Sequence, residues 1–429
     1  MYLSIDLGST HFKAGVFDDS LAPQGTSRYA LTYVPSAGIE VELSVDEVEK
    51  GLRYVIHKAL SQAKIKADSI KAIGIASQAQ TFIILDEKGS PKTNFISWQD
   101  KRAVETSQSM IESPDWSDFI EHSSFGSIYP GLQVCLLKHI RDHNPGFITK
   151  RDTILKLPSF VVRQLTDKSY LDNNLASMSG LFSLKHNDWW EKALDHCRLQ
   201  RDQLPELCEI GTIACTTTKR ANAYGLSEGI PVILAGNDQT AGAYGARIHE
   251  SNALLITLGT AQVAYQSVSE MPEPSVNTTR GPYPYGMSYK MAVDNAGGNV
   301  INWAKDAIPE IGSYENFFSL ASEVPSDCNG LKFYFIEDLN RGEWNLKWKC
   351  KPSDYARSVL EYLCKRMAEL VSNMSVDLND TSIVCAGGGS KQKIWVDILS
   401  EKLKTKIQPV DADPMLGSAM MSINSVVYN

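Results

Sequence analysis

"IDLGST", Ile5–Thr10, lies inside the alternating apolar and polar stretch Tyr2–Phe17, and half a chain later "ITLGTA", Ile256–Ala261, copies it. Ile5-Asp6-Leu7-Gly8-Ser9 lies over Ile256-Thr257-Leu258-Gly259-Thr260. Each copy reads as a β-hairpin turning on a glycine, the first at Gly8-Ser9-Thr10. One repeat separated by so much chain points to duplicated α/β domains, not to a solenoid of short units. A length of 429 residues agrees, because it exceeds one ordinary hydrophobic core.

Composition narrows the partners. With 43% hydrophobic and 21% charged residues the chain reads as soluble and globular. A net charge of −8 supplies no basic field for nucleic acid, so an anionic substrate must be held by local cradles. No apolar run approaches the roughly 18 residues of a membrane span. "MYLSIDLGST" lacks a basic n-region, which predicts no secretory signal. The eight cysteines form no C-x-x-C or Cys/His cluster, so reduced thiols and a cytoplasmic setting are expected, without zinc or disulfides.

Between the hairpins, Val45–Ala63 has helical periodicity, with Val48, Leu52, Val55, Ile56 and Leu60 on one face and Ser44 and Glu47 in capping-box spacing. "IKAIGIA" and "FIIL" read as buried strands, and polar helices and loops are expected from about 100 to 225. "IPVILAGN" is a strand that runs into "GNDQTAGAYGA", Gly236–Ala246, where one acid, Asp238, opens a small-residue helix. Ala356, Val359, Leu360, Leu363, Met367 and Leu370 form a further helical stripe. It leads to the strand Ile383–Ala386, the turn Gly387-Gly388-Gly389-Ser390 and a helix expected near Lys391.

A hairpin tipped by Gly-Ser-Thr or Gly-Thr can offer backbone N–H groups and hydroxyls to phosphate oxygens. Two such hairpins and a Gly triplet before a helix together describe a nucleotide cradle. The triplet is no Walker loop, and no G-x-G-x-x-G follows an N-terminal strand. Asp6, between Ile5 and Leu7, needs a cation or several donors if buried: a Mg²⁺ ligand, direct or through water, or a hydrogen-bonded turn acid. Lys13 reads equally as a phosphate contact or a solvated strand lysine. Asp238 alone reads as a helix N-cap; with these companions it reads as a carboxylate turned to chemistry.

These motifs, in order, resemble the FGGY carbohydrate kinases of the actin, hexokinase and Hsp70 ATPase superfamily. "IDLGST" looks like the first phosphate hairpin and "WQDKR", Trp98–Arg102, like the sugar-side W-x-D-x-R. "GNDQTAGAYG" is similar to the catalytic-aspartate helix, "TLGTAQVA" to the second phosphate hairpin, and "CAGGGSKQKIW" to the adenosine turn. "KLPSFVVRQLT", "DNNLASMSGLF", "AGGNVINW" and "PMLGSAM" complete the series. The resemblance implies an α/β fold of two actin-like, ribonuclease H-like domains with a cleft between them. Residues 1–246 would carry the sugar side, first hairpin and catalytic acid; residues 247–429 would carry the second hairpin and adenosine site, the last helix packing back on the N-terminal domain.

The implied reaction moves the γ-phosphoryl group of ATP to a terminal hydroxyl of a ketose. Asp238 would be the catalytic base, favoured as an anion by its helix N-terminus. Asp6 would anchor Mg²⁺; Gly8, Ser9, Thr10, Lys13, Gly259 and Thr260 would hold phosphates, and Gly298 would bind the cofactor. Gly387, Gly388, Gly389 and Ser390 would hold adenosine; Gln78, Gln80, Trp98, Asp100, Arg102 and Gln239 would face the sugar. The implied partners are the sugar and ATP, with neither nucleic acid nor membrane, and a homodimer is allowed.

For the sugar, "SQAQT", Ser77–Thr81, has neither the Arg-Glu pair of glycerol kinases nor the Met-His-Gly of xylulose kinases. Asp238-Gln239, Gln262 and "GGNV" lean toward a sedoheptulokinase-like branch, with xylulose kinase as close competitor. Cys135 or Leu136, and His139, stand where the family has Lys and Trp, and "NRGEWN" is a remnant of its G-E-R-x-P element. The competing class is a non-catalytic ATP- or sugar-responsive binding protein on the same fold.

Overall fold

The computed structural model describes residues 1–36, 38–345 and 350–427. They divide into two compact units. The first comprises Met1–Gly245, Ser269–Tyr289 and Asp413–Asn429; the second comprises Ala246–Val268 and Lys290–Ala412.

In the first unit the opening hairpin is strand β1 (Tyr2–Leu7) paired with β2 (His11–Phe17), Asp6 standing opposite Lys13. Beyond it lie β3 (Pro23–Ala30), helix α1 (Val45–Ala63), β4 (Ala72–Ser77), β5 (Ile213–Thr216), β6 (Pro231–Asn237) and helix α2 (Asp238–Gly245). The sheet order is β5-β6-β4-β1-β2-β3, with β1, β4 and β6 parallel. Fully buried strand residues such as Leu3, Ile5, Ile73, Ile75, Val232 and Leu234 build one core with the apolar face of α1. That face is the expected one: Val48, Leu52, Val55, Ile56 and Leu60 are all buried. Only half of the capping box forms. Ser44 Oγ accepts from Glu47 N at 3.1 Å, but the Glu47 carboxylate turns outward to Thr32 N at 2.8 Å, because that backbone donor lies outside any strand ladder.

The small residues of α2 let it approach a second helix. A Cβ on Gly417, in the helix Pro414–Val427, would sit 1.7 Å from Ala241 O, and one on Gly245 would sit 2.9 Å from Gly417 N. The two helices therefore touch backbone to backbone, which glycines alone permit.

The second unit repeats the plan. Strands β7 (Ala253–Leu258) and β8 (Gln262–Val268) form the second hairpin, followed by β9 (Ser288–Asp294), which belongs to this unit from Lys290 on, β10 (Ser382–Ala386) and β11 (Ile407–Pro409). Their order is β9-β8-β7-β10-β11, with β7 antiparallel to β8 and parallel to β10, as β1 is to β2 and β4. Helices α3 (Gly298–Ala307), α4 (Pro352–Asn373) and α5 (Lys393–Leu403) bury Val300, Val359, Leu363, Met367 and Leu399 with the sheet in a second core. The helix expected near Lys391 starts as a 3₁₀ turn, Gly388–Lys391, and becomes α-helical at Lys393. Among the described residues no helix is long and apolar enough to cross a membrane.

Candidate active site

The carboxyl ends of β1, β4 and β6 meet along one sheet edge, since Leu7 stands beside Ser77 and Ser77 beside Asn237. Ligands of parallel α/β sheets bind at such edges. The register of β6 slips between Leu234 and Asn237, where Gly236 adopts φ +75°. Asn174 Oδ1 then accepts from Asn237 N at 2.9 Å and holds the kinked end. That kink lifts Asp238 out of the ladder at the start of α2.

Asp238 is not the sole cap of its helix. Asn237 Oδ1 accepts from Gln239 N at 3.0 Å, alongside Asp238 Oδ1 at 2.8 Å. Burial, reinforced by the charge of Asp6, pushes the Asp238 carboxyl up to about 6. Desolvation and a second carboxylate thus raise this group, which still ionises below neutral pH.

Asp6 sits almost wholly inside, its side chain 3% exposed. Lys13 Nζ, 37% exposed, lies 2.9 Å from Asp6 Oδ2. Asp6 Oδ1 is buried with no hydrogen-bond partner among the described residues. Burial raises the Asp6 pKa against the pull of Lys13. Burial alone would lower that of Lys13, yet the carboxylates of Asp6, Asp413 and Asp238 raise it on balance. Asp413 therefore joins the cluster, although no motif pointed to it. A buried carboxylate oxygen without a hydrogen-bond partner, near the charges of Asp238 and Asp413, suits a cation. Among the described residues no group of three or more Asp, Glu, His or Cys is arranged to hold a metal ion. That donor set fits a Mg²⁺ that keeps most of its water, as this ion commonly does.

The other sugar-side residues divide. Gln78 props the first hairpin, its Nε2 donating to Gly8 O at 3.2 Å while its Oε1 accepts from Thr81 Oγ1 at 3.1 Å. Gln80, at φ +67°, spends both ends of its amide inside, donating to Met178 O and accepting from Gln133 N. Asp100 is fully enclosed: Oδ1 takes Arg102 N and Nε, and Oδ2 takes Arg102 Nη2 and Val41 N. Arg102 also donates to Glu42. Each of these three expected sugar-side residues is thus held by partners within the protein. Trp98 stays 41% exposed, and Gln239 is half-buried beside Asp238. At the first hairpin tip a Cβ on Gly8 would meet His11 O at 2.9 Å, so this glycine answers close approach, while Ser9 and Thr10 stay accessible.

The second unit gathers the remaining motifs. Gly298 N donates to Gly259 O at 2.8 Å and Asn299 N to Thr260 O at 3.4 Å. Gly387, at φ +88°, presses on the same hairpin, since a Cβ there would lie 2.6 Å from Leu258 O. Ser390 Oγ closes the triplet on Gly387 O at 2.8 Å. Beside it opens a cavity of about 720 Å³ lined by Ser390, Lys391, Val396 and Val410.

Residues 1–245 match the model of the FGGY family of carbohydrate kinases, N-terminal domain. The chain belongs to the FGGY family of carbohydrate kinases. This FGGY kinase is 22% identical over 395 residues to a xylulose kinase of Staphylococcus epidermidis, covering 88% of this chain and 77% of that one. It is 24% identical over 430 residues to a glycerol kinase of Enterococcus faecalis, covering 95% and 85%. A ligand-bound xylulose kinase structure from Lactobacillus acidophilus aligns with a TM-score of 0.89 at 18% identity, covering 100% of this chain and 90% of that one. That likeness establishes the fold of two actin-like domains. As a member of this family the protein is a sugar kinase, a phosphotransferase, and the family uses ATP.

Proposed function

We propose that this FGGY kinase transfers the γ-phosphoryl group of ATP to a terminal hydroxyl of a ketose of the xylulose or sedoheptulose kind. The observation that carries the reading is the pairing of two acids at one sheet edge: Asp238, held with a carboxyl near 6, and Asp6, with one oxygen open. A base poised near neutral pH accepts a proton well, and phosphoryl transfer asks for positioning more than covalent help.

In the proposed step the acceptor oxygen bonds to the γ-phosphorus, the bond from that phosphorus to the β,γ-bridging oxygen breaks, and the hydroxyl proton passes to an Asp238 oxygen. ADP carries away the electron pair of the broken bond. Mg²⁺, bound with ATP and held through water by Asp6, would neutralise charge on the phosphate oxygens. Ser9, Thr10 and Lys13 of the first hairpin, and Gly259, Thr260 and Gly298 of the second, would hold phosphates. Gly387–Ser390 would seat adenosine on the second unit. Trp98 would lie against the apolar face of the sugar, with Gln239 toward its hydroxyls.

A neutral acceptor is supported by the fate of the cations. Arg102 is occupied by Asp100 and Glu42, Lys13 by Asp6, and the buried Lys156 donates to Leu175 O. Ala79 brings no charge to the stretch where glycerol kinases have an Arg-Glu pair. The xylulose kinase name among the relatives agrees with a ketose. Measuring sugar-dependent ADP release with xylulose, sedoheptulose, ribulose, gluconate and glycerol tests this. Turnover confined to ketoses is expected; a preference for gluconate or glycerol overturns the ketose, and sugar-dependent thermal shifts without turnover favour the binding-protein alternative.

A further inference from the structure

Arg366 on α4 and Gln262 on the second hairpin converge on the turn Asp294–Gly298 of the second unit. Asp294 is buried, and its Oδ1 accepts from Ala296 N at 2.9 Å. The same carboxylate receives two bonds from Arg366 on α4, Nε to Oδ2 at 2.6 Å and Nη2 to Oδ1 at 2.7 Å. Such a two-pronged pair fixes orientation as well as charge. Arg366 is itself held by Glu337 Oε1 at 2.6 Å and Tyr362 Oη at 3.1 Å. Three residues earlier on α4, Leu363 O accepts from Gln262 Nε2 at 3.2 Å, and that nitrogen also donates to Ala296 O at 3.0 Å. The helix thus holds the turn directly through Arg366 and indirectly through the Gln262 amide that bridges Leu363 O and Ala296 O.

The turn grips the hairpin in the same way. Gly298 N and Asn299 N donate to the carbonyls of Gly259 and Thr260. A Cβ on Gly297 would stand 2.7 Å from Thr260 O and 2.9 Å from Gly259 O, so the contact is as close as backbone allows. Among the described residues there is no cis peptide bond. In a planar trans peptide the N–H points opposite to the C=O. Drawing the carbonyls of Gly259 and Thr260 toward the turn therefore aims the N–H groups of Thr260 and Ala261 the other way, as donors for an anion.

We infer that Arg366, acting through Asp294, is a positioning residue that sets the phosphate-binding hairpin of the second unit; this rests on the assignment of nucleotide phosphates to that hairpin. Arg366 needs no contact with nucleotide. Without it, the buried Asp294 carboxylate loses its counter-charge and must seek water, and the turn that aims the hairpin amides shifts with it.

Calorimetric binding of ADP and of adenosine to the full chain separates this from general damage. Arg366→Met and Asp294→Asn are each expected to weaken ADP about tenfold while adenosine stays within about twofold, since only the phosphate donors are disturbed. The double variant is expected to be no worse than the poorer single one, and the KM for sugar to stay unchanged. Should Arg366→Met fail to fold, Glu337→Gln, which removes only the outer support of Arg366, is expected to weaken ADP by a few-fold while adenosine stays within about twofold. Unchanged ADP binding in the folded variants, or equal losses for ADP and adenosine, overturns the inference alone. A wild-type protein that binds no ADP overturns the nucleotide assignment and this inference with it.

Discussion

Lys13 Nζ donates to Asp6 Oδ2 at 2.9 Å, while Asp6 Oδ1, on the same buried carboxylate, has no hydrogen-bond partner among the described residues. One oxygen is anchored and the other is buried with its lone pairs unspent. Asp6→Asn keeps the shape and removes the charge. The Mg²⁺ concentration for half-maximal turnover should then rise about tenfold or more, as when a metal site's supporting shell is weakened. A variant with an unchanged Mg²⁺ titration would show that Asp6 serves only the fold.

The Asp238 carboxyl, raised to about 6 by burial and by Asp6, has to be ionised to accept a proton. The kcat/KM for sugar should therefore fall about tenfold per pH unit below about 6, since that ratio reports groups of the free enzyme. A limb breaking near 4 would mean an unperturbed base. The same shift bears on stability with definite sign. A carboxyl whose folded pKa exceeds its unfolded value of about 4 is bound more tightly by protons in the native state, so ionisation costs stability as pH rises from about 4 through about 6. Asp238→Asn should accordingly have a higher Tm than wild type at pH 7.5, with the gain vanishing near pH 4.

Much of this was legible in the residues, and the reasons differ by element. The duplicated hairpins are visible because each strand alternates around a glycine that close backbone approach demands, as at Gly8 beside His11 O. The apolar face of α1 follows from its spacing alone. What spacing cannot show is where a polar side chain spends its hydrogen bonds. Gln80, Asp100 and Arg102 look like sugar ligands in one dimension, yet partners distant in sequence, Met178, Gln133, Val41 and Glu42, claim them. Gln262, which leaned the reading toward one branch of sugar kinases, ties the turn at Ala296 to α4. Asp413 and Arg366 carried no local signal, because their importance comes from neighbours brought together by folding.

Asp100 provides the sharpest test of strut against ligand. Its side chain is 0% exposed and that of Arg102 17%. Removing one partner of a buried pair strands the other, at a typical cost of about 3–5 kcal/mol. Asp100→Ala should lower the urea midpoint accordingly, with the remaining folded protein showing near-normal KM for sugar. A stable variant with a strongly raised KM would instead return Asp100 to the sugar.

Gly417→Ala probes how Asp238 is carried. The new methyl would overlap Ala241 O, which lies 1.7 Å from its ideal position, so the two helices must part. Overpacking of this kind commonly costs about 1–3 kcal/mol, and backbone-to-backbone contact leaves no side chain to yield. A loss of at least about 3 kcal/mol in thermal or urea unfolding is expected. Wild-type stability would mean that α2 and its partner helix are not in contact.

The account stands on Asp238 as the proton acceptor in phosphoryl transfer to sugar. Asp238→Asn keeps the size of the side chain and the bond to Gln239 N while removing the base. Sugar-dependent ADP release at pH 7.5 should fall about 10²–10⁴-fold in this variant, while calorimetric ADP affinity stays near wild type. Turnover within a few-fold of wild type would contradict the account.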